Sequence, residues 1–149
     1  MDRIIVATFN NTNSAYDAAS AIKALKQSGV VDFKLKAGVM IKKDEMGNVS
    51  VVESKDRPLL GTVVGSVAGA LIGLIGGAPG AAVGAALGAT TGLTGDAITA
   101  DLDDDFVDSV TSDMRPGMTA IVVEAEEKST RPVDDIVALN GGRVYRQAA

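Results

Sequence analysis

The sequence contains no cysteine, no histidine and no tryptophan. Without cysteine there is no disulfide framework, no thiolate zinc site, no iron–sulfur cluster and no thiol nucleophile. Without histidine, the commonest general base and the commonest transition-metal ligand are missing. Aromatic residues are scarce: Phe9, Phe33, Phe106, Tyr16 and Tyr145 are all there are. They leave little for base stacking, and 19 acidic against 14 basic residues give a net charge of −5. That balance argues against a basic nucleic-acid surface, so no nucleic-acid partner is expected. At 149 residues the chain has the length of one ordinary domain and can bury a core without covalent staples.

The acid and base chemistry left to Asp, Glu, Lys and Tyr stands in no recognisable motif. Gly73-Leu74-Ile75-Gly76 and Gly92-Leu93-Thr94-Gly95 look superficially like phosphate loops, but no Gly-Lys-Ser/Thr follows either. The strand–Gly-loop–helix context of a dinucleotide site is absent as well. Asp101-Leu102-Asp103-Asp104-Asp105 offers hard oxygen ligands, yet Phe106 stands where a calcium loop needs glycine and Ser112 where it needs glutamate. Aspartates there suit the start of a helix, where the macrodipole favours anions. The expectation is a protein that is not an enzyme and holds no cofactor or metal.

What is present begins with 4–9, a β-branched run that reads as a buried strand. No basic stretch followed by a long apolar run precedes it, so no secretory signal is expected. Ser14 is placed to cap a helix carrying Ala15, Ala18, Ile22 and Leu25 at helical spacing, and Gly29 to stop it. In 31–41, Val31, Phe33, Leu35, Ala37, Val39 and Ile41 alternate with polar residues, the period of a half-buried strand. Its other face carries Lys34 and Lys36, either solvated or a contact surface for a partner. After the turn at 44–48, Val49, Val51 and Val52 complete a hairpin.

Between Arg57 and Asp96 lie 38 residues without a charge. Gly61, Gly65, Gly69, Gly73 and Gly77 fall at four-residue intervals, and after Ala78-Pro79 the series restarts at Gly80, Gly84, Gly88 and Gly92. Glycine weakens a helix by ~1 kcal/mol per site relative to alanine. A repeat at i, i+4 makes a smooth stripe that lets helix backbones approach closely. The spacing predicts a helical hairpin, with Pro58 and Pro79 in first-turn positions. These nine glycines are the candidate helix-packing and oligomerisation residues.

Besides a purely intramolecular role, the hairpin's setting has two readings. In one it inserts into or rests on a lipid bilayer from the cytoplasmic side, its first helix about long enough to span. In the other it is the hidden core of a soluble homo-oligomer. The second helix is mostly Ala, Gly and Thr, poor material for lipid exposure, and no aromatic belt marks either interface.

Phe106, Val107, Val110 and Met114 then recur on one helical face, and Arg115-Pro116-Gly117 turns the chain into an apolar strand over 118–125. Glu126-Glu127-Lys128 reads as its solvated end. Pro132 opens a short helix with Val133, Ile136, Val137 and Leu139, and 143–146 reads as a charged edge strand. Without the glycine-rich segment, the order strand, helix, strand, strand, helix, strand through 125 predicts an α+β fold: a ferredoxin-like antiparallel sheet with helices on one face, to which the helix and strand from Arg131 onward add at one edge. Residues 1–56 and 97–149 form this split domain, interrupted by the glycine-zipper hairpin of 57–96.

The interrupted domain, the Gly-Ala hairpin of 80–96, the acidic helix and the turn Arg115-Pro116-Gly117 into Met118-Thr119-Ala120-Ile121-Val122-Val123 resemble the DUF1269 family. Its members are usually described as predicted membrane proteins of unknown function. Here the strand ends in Val123-Glu124-Ala125-Glu126-Glu127, more acidic than is usual in the family. The resemblance implies no activity and no catalytic residues. Together the readings give a non-enzymatic, self-associating or membrane-associated protein. The alternative is a soluble regulatory or small-ligand-binding module that uses Lys34 and Lys36.

Overall fold

A computed structural model describes residues 2–29, 32–52, 71, 72, 75 and 102–148. The architecture is α+β. Five strands, β1 (Asp2–Phe9), β2 (Phe33–Lys43), β3 (Val49–Val51), β4 (Thr119–Glu127) and β5 (Arg143–Ala148), form one antiparallel sheet in the order β3-β2-β4-β1-β5. Accompanying it among the described residues are the helices α1 (Thr12–Ser28), α2 (Asp104–Asp113) and α3 (Arg131–Leu139).

The apolar run 118–125 takes the central position. β4 lies between β2 and β1, where both faces are covered, and Ala120 to Val123 are all buried. The strand after the β2–β3 turn is only a three-residue edge piece. That turn is held by Asp44, whose Oδ1 accepts from the N–H groups of Met46 and Asn48 at 2.9 and 2.8 Å, and by Gly47 at φ 86°.

α1 starts three residues earlier than a cap at Ser14 would place it. Asn11, in extended conformation, is the N-cap, and its Oδ1 accepts from the Ser14 N–H at 2.8 Å. Ser14 therefore supplies the backbone donor and Asn11 the cap. Gly29 at φ 71° ends the helix as expected.

The alternation in β2 does not place its apolar residues on one side. The register against β4 shifts between Leu35 and Ala37, and this irregularity exchanges the two faces. Phe33 and Leu35 join the core with Ala15, Ala18, Ile22, Val133 and Val137 of α1 and α3. Ala37, Val39 and Ile41 join the opposite core with Phe106 and Val110 of α2.

Consequently helices cover both faces, not one. α1 and α3 share a face, and α2 lies across the other with Met114 just beyond it. Leu71, Ile72 and Ile75 are helical, at 0%, 0% and 4% exposure, and belong to the α2-side core with Ile4, Val6 and Val122. The Lys43 Nζ donates to the Ile75 carbonyl at 3.3 Å. These three apolar residues of the uncharged stretch therefore pack on the sheet.

Gly142 fits the approach of β5 to β1. A Cβ there would lie 2.5 Å from Phe9 Cε1 and 2.7 Å from the Thr8 carbonyl oxygen, so only hydrogen leaves room. At the end of α3, Val133 and Val137 are buried but Leu139 is 86% exposed, so it does not complete the apolar stripe.

Candidate functional site

The polar side chains that the fold gathers come from β1, α2 and β5. Asp113, the last residue of α2, is buried at 8% exposure. Its Oδ2 accepts from the Thr8 hydroxyl at 2.6 Å and from the Tyr145 hydroxyl at 2.7 Å. Its Oδ1 lies 3.4 Å from the Arg143 guanidinium. Burial alone pushes this carboxyl up. The hydrogen bonds from Thr8 and Tyr145, with the charges of Arg143 and Arg115, outweigh it and hold the group below its ordinary value. The Tyr145 hydroxyl moves the other way, raised first by burial and then by its bond to the negative Asp113. These contacts tie the end of α2 to β1 and β5.

A second network closes the far end of the α1/α3 face. Glu127, whose side chain is fully buried, receives Arg146 through two hydrogen bonds of 2.8 and 3.1 Å, with Arg3 at 3.6 Å. Arg146 also meets Asp134 at 2.7 Å and donates to the Thr130 carbonyl at 3.2 Å, tying β4, β5 and the start of α3 together. Burial disfavours the Arg146 charge, but the bonds to Glu127 and Asp134 more than compensate and raise its value. Glu127 is thus not a solvated strand end. It continues the buried set Ile121, Val123, Ala125 by two-residue alternation.

Between these networks lies an open cleft of about 730 Å³. The N-terminal part of α2, Asp103 to Phe106 with Ser109, forms one wall, and Val144, Tyr145 and Arg146 form the other. Three consecutive strand residues point to alternating faces, so the cleft follows the outer edge of β5. Asp103, Asp104 and Asp105 are exposed along its rim. Among the described residues, no group of three or more acidic side chains is arranged to hold a metal ion.

Lys34 and Lys36 are both exposed on β2. Lys34 pairs in register with Glu126 of β4, and Lys36 falls within the register shift. Their face is not free of helices, since α2, Leu71, Ile72 and Ile75 cover its apolar end. The nine glycines, Gly61 to Gly92, lie outside the described residues, and so does the hairpin expected from them apart from Leu71, Ile72 and Ile75.

The sequence profile of DUF1269, a family described as protein of unknown function, matches residues 62–148. The chain belongs to the DUF1269 family. The match takes in the glycine series from Gly65 onward, α2, β4, α3 and β5, and it begins after β3. No curated protein and no solved structure matches the chain.

Composition alone does not reveal Asp113, Tyr145, Glu127 or Arg146, but position does. Asp113 falls seven residues after Phe106, on the stripe that buries Val110, where a charge must find partners. Glu127 extends the inward parity of β4 in the same way.

Proposed function

We propose that this DUF1269 protein is a non-enzymatic assembly protein whose glycine-rich segment drives self-association. The observation that carries the reading is the burial of Leu71, Ile72 and Ile75 against the sheet. On a helical wheel at 100° per residue, those three cluster on one side, while Gly69 and Gly73 fall roughly 110° and 150° from its centre. In such a helix Gly69 and Gly73 stand on a different side from the apolar residues spent on the sheet. A stripe of small residues at i, i+4 gives close, extended backbone contact with another helix.

The fold supports a ferredoxin-like frame for this assembly, with β1, β2, β4 and β5 as its four strands. Their order β2-β4-β1-β5, with α1 and α3 on one face, supports a split βαβ pair in which β5 and α3 take the places expected for the strand at 49–52 and the helix at 106–114. Here β3 is a hairpin addition, and the frame comprises 1–56 and 97–149, with 57–96 the inserted glycine-zipper hairpin. Copies of that hairpin bury one another, either inside a soluble homo-oligomer or at the cytoplasmic face of a lipid bilayer. Among the described residues, no helix is long and apolar enough to cross a membrane.

The test is the particle mass of a Gly69→Leu/Gly84→Leu chain, measured by light scattering without detergent. A fall in mass with the far-UV spectrum retained supports the reading, and an unchanged mass overturns it. Liposome flotation of the native protein separates the two settings: flotation that resists a high-salt wash places the hairpin in lipid. A defined particle that stays at the bottom makes it an oligomer core.

A further inference from the structure

Among the described residues, β5 pairs with β1 and with no other strand. Half of the backbone N–H and C=O groups of its six residues therefore point out of the sheet. Free charges commonly guard such an edge. Arg146 is not such a guard, because its guanidinium is turned onto Glu127 and Asp134. Arg143 is 72% exposed, and its 3.4 Å approach is the longest in the Asp113 cluster. Beside the same edge runs the cleft walled by α2, with Asp104 and Asp105 on its rim, exposed and without an ion pair among the described residues.

We infer that the outer edge of β5 receives β5 of a second copy, antiparallel about a two-fold axis at Tyr145, with Arg143 of each copy seated in the acidic cleft of the other. The register follows from the strand itself. Pairing centred on Tyr145 sets Arg143 of one copy opposite Gln147 of its partner. Gln147 marks the start of α2, since its Oε1 accepts the Asp103 N–H at 2.8 Å. Arg143, Tyr145 and Gln147 share one face by alternation, and Tyr145 packs into the core that contains α2. The incoming guanidinium therefore arrives on the helix side, over the first turn of α2, beside Asp104 and Asp105. Because a two-fold contact is isologous, the same pair forms twice, and the five-stranded sheet becomes one continuous sheet across both copies. This interface stands independently of the glycine series and uses the opposite edge of the sheet from β3.

The absence of cysteine permits a direct test, because a label at Ala148→Cys is the only thiol in the chain. In the proposed register the two Ala148 positions are six residues apart along the paired strands, about 20 Å. Nitroxide distance measurement on the full chain should give a peak near that separation. Arg143→Glu, and separately Asp104→Lys/Asp105→Lys, should each weaken association about tenfold and deplete the peak. An equimolar mixture of the two should restore it, since both contacts again join opposite charges. Arg143→Gln, which adds no repulsion, should give a smaller loss.

A native chain without the peak overturns the interface, and so do charge-reversed variants that keep it or a mixture that fails to restore it. A native monomer that instead binds an arginine-rich peptide at the cleft also overturns it, in favour of a foreign strand. Particle mass in the Gly69→Leu/Gly84→Leu background reports separately on the glycine segment. An unchanged mass with the peak present overturns the hairpin reading and supports this one. A lowered mass with the peak absent does the reverse.

Discussion

The Tyr145 hydroxyl donates to Asp113 Oδ2 across 2.7 Å, joining the edge strand to the last residue of α2. The pKa values of the two groups are displaced in opposite directions, so this cluster shapes both ends of the stability profile. Asp113 is held below its ordinary value, so its contribution is present above the usual carboxylate range and disappears as pH falls through the depressed value. Tyr145 is raised above 10.0, so its contribution is complete below that value and is lost as pH rises through the raised one. Thermal midpoints measured against pH should show a plateau between these limbs. Tyr145→Phe should flatten the alkaline limb and leave the plateau only slightly lower. An alkaline limb identical to the native one would remove Tyr145 from the account.

Replacing Asp113 with alanine leaves the buried Thr8 hydroxyl and the Tyr145 hydroxyl without their acceptor. The expected cost is about 3 kcal/mol, the range for losing bonds to a buried charged group. Urea titration is the measurement. The Thr8→Ala/Asp113→Ala double variant should cost less than the two single losses added together, because they share one interaction. Strict additivity would mean that the 2.6 Å contact between them is not energetically coupled.

Glu127 and Arg146 form the other buried junction, and the size of its effect depends on which partner is removed. Glu127→Gln keeps the shape but leaves Arg146 to Asp134 and the Thr130 carbonyl, for an expected loss of about 2 kcal/mol. Removing both with Glu127→Leu and Arg146→Met should recover part of that, since apolar isosteres often match a buried ion pair. A double variant less stable than Glu127→Gln would make the pair an outright source of stability.

Much of this arrangement can be traced in the chain, and the departures have physical causes. The runs 4–9 and 118–125, the stripe Phe106–Val110–Met114 and the stop at Gly29 carry period and turn chemistry that local sequence states directly. The exchange of faces in β2 is invisible to alternation, because one irregularity between Leu35 and Ala37 reverses every later position. The central place of β4 follows from its two-sided burial, which the apolar run signals. The short stretch 49–51 lacks the length to compete for that place. Glu127 and Arg146 look like solvated ends by type, and only parity along β4 marks them as inward. In each case the missing information is a long-range pairing, which decides how local pattern is used.

Gly142 gives a stringent check on the β1–β5 register. Alanine there drives a methyl group against the Thr8 carbonyl oxygen, a backbone atom that cannot rotate away, as well as against the Phe9 ring. The expected penalty is about 2 kcal/mol, typical of overpacking. Because Thr8 pairs with Arg143, the strain falls beside the Asp113 cluster. Amide exchange should therefore rise first in β5 and least in β2 and β4. Uniform acceleration across the sheet would show that Gly142 affects global stability alone.

Leu71, Ile72 and Ile75 connect the glycine-rich stretch to the rest of the protein, and substituting them separates packing from assembly. All three are buried in the core that includes Ile4, Val6, Val39, Phe106 and Val110. Ile72→Ala removes three carbons from this site and should lower stability by about 3 kcal/mol through lost burial and the remaining cavity. If the glycine series lies on another side of the same helix, Ile72→Ala should leave particle mass unchanged while the melting temperature falls. Gly69→Leu/Gly84→Leu should do the opposite, lowering the mass with a smaller thermal effect. Measuring both quantities on both variants gives a crossed pattern. Variants that lose mass and stability in parallel would show that one surface serves both tasks, and the glycines would then have to be placed against the sheet.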